Sequence, residues 1–203
     1  CMAMNPAARQ HLIEQLKAHT MKRQYVAFVE GRSSAPKGTW RQWLQLSRDE
    51  LRQQILPQGK ALPPKAPQQG RALSPKAPPR RISPAEPQEA ITHFEVLAEY
   101  PLADGRFVTK LRFQLETGRK HQIRVQAAHA GLPLIGDRTY NPAFRSVNPA
   151  LAPIHFARQA LHAEFLTLEH PDQPGARLTW RAELPKDLRQ LEAALRSGHV
   201  LER

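Results

Sequence analysis

The chain has 203 residues, enough for one sizeable domain, and its 30 lysines and arginines against 18 acids give a formal charge of +12. One cysteine, Cys1, excludes an intramolecular disulfide and suits a reducing compartment. No apolar run approaches the roughly 18–20 residues of a transmembrane helix and no secretory apolar core precedes the first charged segment, so the expectation is a cytoplasmic protein.

The first four residues, Cys1-Met-Ala-Met4, read as the end of a buried strand. Asn5-Pro6 then offers a helix cap followed by proline at the first helical position, and Leu12, Ile13 and Leu16 form an apolar stripe on the helix that follows. From Arg23 to Glu30 the pattern alternates as in a strand, with Tyr25, Ala27 and Val29 on one face and Val26 and Phe28 on the other. Trp40 and Trp43 lie beside Leu44 and Leu46, where indoles anchor a hairpin or core edge; stacking on RNA bases is the alternative. Ser47-Arg-Asp-Glu50 matches a capping box and predicts a short helix running through Ile55.

Composition changes over residues 57–90, where six basic residues and two acids leave +8 for the rest of the chain. The folded part therefore keeps most of the excess, as expected of a surface that meets polyanions. Within this insert, Gly59-Lys-Ala-Leu-Pro-Pro-Lys-Ala-Pro is nearly repeated from Gly70. Two proline-rich copies cannot bury enough surface to stack, so the segment reads as a flexible basic insert that either trails along RNA or is a tolerated surface insertion.

Beyond the insert, Ile91–Tyr100 and Arg106–Glu116 read as strands joined by the turn Ala103-Asp-Gly105. A helix is expected over residues 119–130, ended by Gly131 with Pro133 beyond it. Leu161–Leu168 and Arg177–Glu183 are strand patterns around the turn Pro171–Gly175. A last helix after Pro185 turns Leu188, Leu191 and Leu195 inward, with Gly198 past its end. Interspersed strands and helices without a βαβ rhythm argue for an α+β fold.

The densest chemistry lies between two of these elements. Thr117-Gly-Arg-Lys-His-Gln-Ile-Arg124 sets a turn, a cluster of cations and side-chain amides at the mouth of a helix, where orphan N–H groups favour anions. This run resembles the T-G-R-x-H-Q-I-R signature of the RluA-type RNA pseudouridine synthases. Gly131-Leu-Pro-Leu-Ile-Gly-Asp-Arg-Thr-Tyr140 is similar to their G-x-P-x-x-G-D-x-x-Y. Arg158-Gln-Ala-Leu-His-Ala163, Glu169-His-Pro171 and the strand Arg23–Gly31 resemble three further elements of that family, in the expected order.

The resemblance implies a mixed, largely antiparallel sheet with a central cleft, forming one partial catalytic domain across residues 1–203 that the insert interrupts. It implies an enzyme that flips a uridine out of structured rRNA or tRNA and isomerises it to pseudouridine, working as a monomer without metal or organic cofactor. No metal-ligand spacing and no glycine-rich phosphate loop stand in the sequence. By resemblance, Arg124 corresponds to the arginine that pairs with the catalytic aspartate, and Tyr25 to the tyrosine that lies against the target base. Arg119, Lys120 and His121 are the expected RNA contacts, although His121 could equally pack as a structural histidine. Ile123 reads as pocket wall, and Gln122 either bonds backbone at the strand–helix junction or contacts RNA.

Asp137 is acidic and lies within a motif, but its turn beside Arg138 suits a structural ion pair better than a nucleophile. His162 likewise reads as structural. Asn141 stands where many relatives have glycine, and asparagine tolerates the left-handed region. The family carries its nucleophile in an R-L-D-x-x-T-S-G element; none of the five aspartates, Asp49, Asp104, Asp137, Asp172 and Asp187, has that context. Arg124 is thus expected to hold a carboxylate that this chain does not supply, and the chain to begin just after the missing element. The alternative is a non-catalytic RNA-binding descendant that retains the cleft; a generic basic scaffold is a weaker third.

Overall fold

In the computed structural model, which describes residues 5–47, 51–57, 86–141, 156, 158–173 and 175–197, Asn5 accepts a 2.7 Å hydrogen bond from Ala8 N and so caps helix α1, Pro6–Lys17. The expected apolar stripe is not what seats this helix. Its buried residues are Ala8 and Gln15, while Leu16 is 41% exposed. The Gln15 amide donates to Glu169 O and accepts from Glu169 N, both at 2.8 Å, and so pairs with a strand end as another strand would.

The sheet has seven strands among the described residues. They are β1 (Lys22–Glu30), β2 (Lys37–Leu46), β3 (Gln53–Ile55), β4 (Gln88–Pro101), β5 (Phe107–Leu115), β6 (Leu161–Glu169) and β7 (Arg177–Arg181). The order is β3-β2-β4-β5-β1-β6-β7, with every neighbouring pair antiparallel. Helices α2 (Gln122–His129) and α3 (Lys186–Ser197) complete the mixed α+β architecture.

Alternation along β1 sorts the two cores as expected. Ala27 and Val29 join Leu111, Phe113 and Leu115 of β5 under Ile123 and Ala127 of α2, with Tyr25, Trp40 and Phe94 packed at the margin. Phe28 faces the other way, against Tyr100, Val108 and the α3 leucines Leu188, Leu191 and Leu195. Trp40 lies 4.8 Å from the Phe94 ring and 5.5 Å from Phe113, which places it at a core edge.

The predicted helix from Ser47 through Ile55 is a hairpin instead. Ser47 Oγ accepts from Arg52 N at 3.0 Å and donates to Arg52 O at 2.8 Å, closing β2 against β3. A capping box reads only local donors; the antiparallel ladder Leu44↔Ile55 to Leu46↔Gln53 satisfies the same backbone groups. Residues 48–50 of that box lie outside the described residues, as do Cys1–Met4, most of the insert and Gly198.

Helix α2 starts later than expected because Gln122 Oε1 takes the Arg119 N–H at 2.9 Å and His121 adopts a left-handed φ of 54°. Its end agrees with the sequence: Gly131, at φ 74°, follows the Ala130 cap. Asn141 is buried, with its amide donating to Glu30 Oε1 at 2.6 Å and Leu134 O at 3.1 Å.

Residues 133–135 then rejoin the sheet. Glu30 N bonds Pro133 O, Ile135 N bonds Phe28 O, and Ala160 N bonds Ile135 O. Gly136 must turn immediately afterwards, at φ 73°, and a Cβ there would stand 2.1 Å from Arg158 O. Gly105 has φ 82° but open space around it. Gly136→Ala is therefore expected to lower unfolding free energy by about 2–5 kcal/mol, combining backbone strain with a backbone clash, against about 1–2 kcal/mol for Gly105→Ala. Urea unfolding of the two variants measures the difference.

Candidate active site

The strand–turn–helix from β5 to α2 is fixed by amides. Thr117 Oγ1 accepts from Ile91 N at 2.8 Å and donates to Gln122 Oε1 at 2.9 Å. Gln122 Nε2 donates to Ile91 O at 3.1 Å and Thr92 Oγ1 at 2.9 Å, and Thr92 donates onward to Gln126 Oε1 at 2.6 Å. Gln126 returns its own N–H groups to Ala90 O, Trp40 O and the Gln42 side chain. Gln122 thus bonds backbone at the strand–helix junction. A buried polar chain with each member satisfied fixes the helix position more sharply than apolar packing alone.

Within the first turn of α2, Arg124 projects toward the 131–141 loop and meets Asp137. Nε to Oδ2 and Nη2 to Oδ1 are both 2.7 Å, a bidentate pair. The Arg124 side chain is 13% exposed and that of Asp137 is 0% exposed. Asp137 Oδ1 also accepts from Thr139 N at 3.0 Å and Tyr140 N at 3.2 Å. Burial would raise the Asp137 carboxyl, but the guanidinium and the two amides outweigh it and hold its pKa below the ordinary 3.8. The same bond raises the Arg124 pKa against the opposing effect of its burial.

Arg124 therefore has a structural carboxylate partner that the sequence reading did not give it, and the ion pair of Asp137 is with Arg124 and not with Arg138, which is exposed. Asp137 keeps its structural role. Four hydrogen bonds and no exposed surface leave it no access to a sugar or base.

Tyr140 completes the cluster. Its ring lies under Arg124, 5.1 Å from the guanidinium carbon, and its hydroxyl accepts from Gln53 N at 2.8 Å. The hydroxyl also lies 3.0 Å from His121 Nδ1, so His121 serves the loop packing. Burial lowers the His121 pKa, helped by the neighbouring charges of Arg124 and Lys120, which favours the neutral imidazole. Sequence reasoning gave Tyr140 no part in the site; its place in the G-D-x-x-Y spacing, three residues past Asp137, was the available signal.

The remaining expected residues divide between two places. Tyr25 is half-buried and packs against the cluster that contains Ile123; across the sheet it pairs with Phe113 on one side and Ala163 on the other. A bulge falls between Gln24 and Tyr25 on the β6 side, and such irregularities re-aim a side chain. Arg119 is half-buried with Nε donating to Glu89 O at 3.1 Å, and Lys120 is exposed. His162 Nε2 lies 3.1 Å from Ala182 O, the structural place expected of it. Among the described residues no three His, Cys, Asp or Glu side chains stand close enough to hold a metal ion. No helix there is long and apolar enough to cross a membrane.

The chain resembles known proteins in both sequence and fold. The family described as RNA pseudouridylate synthase matches residues 1–129. The chain is 43% identical over 112 residues to ribosomal large subunit pseudouridine synthase D of Pseudomonas aeruginosa, covering 53% of this chain and 33% of that protein. It is 41% identical over 116 residues to the protein of the same description from Haemophilus influenzae, covering 55% and 34%. The chain thus spans about a third of the length of these relatives. Among solved structures, human RNA pseudouridylate synthase domain containing 1 superposes with a TM-score of 0.61 at 23% identity, covering 96% of this chain and 74% of that one. Domain containing 4 gives 0.66 at 19% identity, covering 95% and 69%. At these identities the likeness is one of fold.

Asp137→Asn is expected to destabilise the protein by about 3–5 kcal/mol, because it leaves Arg124 inside the loop without its counter-charge. Asp137 also makes stability depend on pH. Its folded pKa lies below the unfolded one, so its contribution is full above the ordinary 3.8 and is lost as pH falls through the depressed value. Unfolding measured from about pH 6 down to pH 3 should show that acid slope in the native sequence and a shallower one in Asp137→Asn.

Proposed function

The chain belongs to the RNA pseudouridylate synthase family, and from that premise we propose that it forms the cleft in which a uridine extruded from structured rRNA is held for isomerisation. The reaction breaks the N1–C1′ bond, turns the base and rejoins it through C5. A target within structured RNA must first be unstacked, at a cost of a few kcal/mol. Tyr25 presents a ring to the base, Ile123 forms the wall beside it, and Arg119, Lys120 and His121 line the approach of the strand. The relatives described as acting on the large ribosomal subunit support rRNA over tRNA.

The observation that carries this reading is the fixed geometry of Arg124. Asp137 occupies its Nε and one Nη2 proton, leaving three of the five guanidinium N–H groups uncommitted to that carboxylate. Their fork suits a second carboxylate, the nucleophile, which must stay ionised and oriented at the sugar or base. Asp137 acts here as the positioning residue and is not that nucleophile. The other described aspartates do not supply it: Asp104 and Asp187 are paired with Arg106 and Arg158, and Asp172 sits in the β6–β7 turn.

The purified 203-residue chain, incubated with large-subunit rRNA, is therefore expected to bind RNA but form no pseudouridine. Carbodiimide labelling followed by primer extension reads the product. Turnover by this chain alone would show that one of its own residues is the nucleophile and would overturn the assignment.

A further inference from the structure

Between the end of α1, the start of β1 and the Thr117–Arg119 turn lies a cavity of about 360 Å3. Lys17, His19, Arg23 and Arg119 line it, together with Gly118 and the exposed Leu16, and among the described residues no carboxylate does. Cavities elsewhere on the protein contain glutamates among their cations, such as Glu95, Glu99 and Glu192. The nearby acids turn away: Glu116 reaches His93 at 2.6 Å, and Glu14 takes the Gln10 amide at 2.8 Å.

The two arginines here belong, with Arg9, Arg52, Arg138 and Arg177, to the minority of described arginines that face no carboxylate. Arg32, Arg41, Arg106, Arg112, Arg124, Arg158, Arg181, Arg189 and Arg196 each face a carboxylate. Among the described residues, Arg23 and Arg119 meet only carbonyl oxygens, of Glu116 at 3.4 Å and Glu89 at 3.1 Å. The Arg23 Nε is buried with no acceptor. Its guanidinium lies across Gly118, where a Cβ would stand 2.2 Å from Nη1, so the glycine is what admits it. His19 holds a left-handed φ of 56° while its Nδ1 lies 2.6 Å from Glu116 O; since a carbonyl only accepts, that nitrogen carries the proton.

The bland account is that Lys17 and His19 merely complement the negative end of the α1 dipole. That concerns the two residues at the helix end and accounts for neither arginine. The α1 carbonyls at this end are already taken by the amides of Ala18, His19 and Thr20, which limits their repulsion of an anion.

We propose that this cavity binds a phosphodiester of the RNA strand, the one adjoining the nucleotide held at Tyr25. Arg23 and Tyr25 are two residues apart on one face of β1, a separation of about 7 Å, which suits a base and its neighbouring phosphate. The inference rests on the reading of Tyr25 as the base-facing residue. It adds Lys17, His19 and Arg23 to the contacts that the T-G-R-K-H run already marks.

The test compares the full chain with a Lys17→Gln/Arg23→Gln variant and with an Arg32→Gln/Arg41→Gln control that loses the same charge elsewhere. Binding of a fluorescein-labelled uridine-loop RNA hairpin is measured across salt. The pocket variant should bind several-fold more weakly and lower the log–log salt slope by about 1.4, while the control changes much less. Equal effects in the two variants overturn the pocket and leave the proposed function standing; failure of the native chain to bind the hairpin overturns both. A second readout needs no variant. Titration of the 15N-labelled native chain with uridylyl-uridine should move the Gly118 and Arg119 amides and not Gly105, whereas uridine, which lacks a phosphate, should move none of the three. No shift at Gly118 with the dinucleotide, or the same shift with uridine, overturns the proposal.

Discussion

The Asp137 carboxylate is the point on which the site depends. Through Arg124 it holds α2; through the amides of Thr139 and Tyr140 it shapes its own loop. Through Tyr140, whose hydroxyl receives Gln53 N, the same loop reaches the β2–β3 hairpin. Its backbone carbonyl accepts from Asn141 N, and Asn141 in turn binds Glu30 at the end of β1. A buried charge is tolerable only when paired and hydrogen-bonded, so these contacts are conditions of one another. The helix that carries Arg124 is short, and its placement comes from this pair and from the Gln122 and Gln126 amides more than from its own helix-forming tendency.

Glu30 and Asp137 show how two acids on one framework differ. Burial raises the Glu30 carboxyl, with Asn141 and Arg106 only partly offsetting it, whereas Asp137 has a guanidinium in bidentate contact and ends depressed. The loop from 131 to 141 thus presents a fixed negative charge to Arg124 and a neutral amide to Glu30. That distribution leaves the remaining edge of Arg124 directed by geometry that the protein supplies before any substrate arrives.

Periodicity made much of the fold legible. The β1 alternation sorted Tyr25, Ala27 and Val29 from Phe28, and the α3 leucines and the Gly131 stop lie where expected. Local signals failed where distant partners decide. Ser47 closes a hairpin instead of capping a helix because β2 offers a ladder, and Gln15 outweighs Leu16 because a strand end needs pairing. Asp137 is a case of the same kind: its chain neighbour Arg138 suggests the ion pair, yet its partner Arg124 stands 13 residues earlier on α2. Side-chain hydrogen bonds between segments leave no periodic trace, so the amide chain through Gln126 is visible only in three dimensions, and Tyr140 shows in the sequence only as a position in a motif.

The pairing of Leu44 has a consequence for the architecture as a whole. This residue pairs with Ile55 on one side and with Gln88 on the other, so β4 begins across β2 from the place where β3 ends. The separation is two strand spacings, about 10 Å, which a handful of residues would span. The sheet therefore makes no demand on the length of the connection, and the entropic cost of closing it rises only with the logarithm of that length. The strand registers on either side of this junction thus set no upper limit on the connection between them.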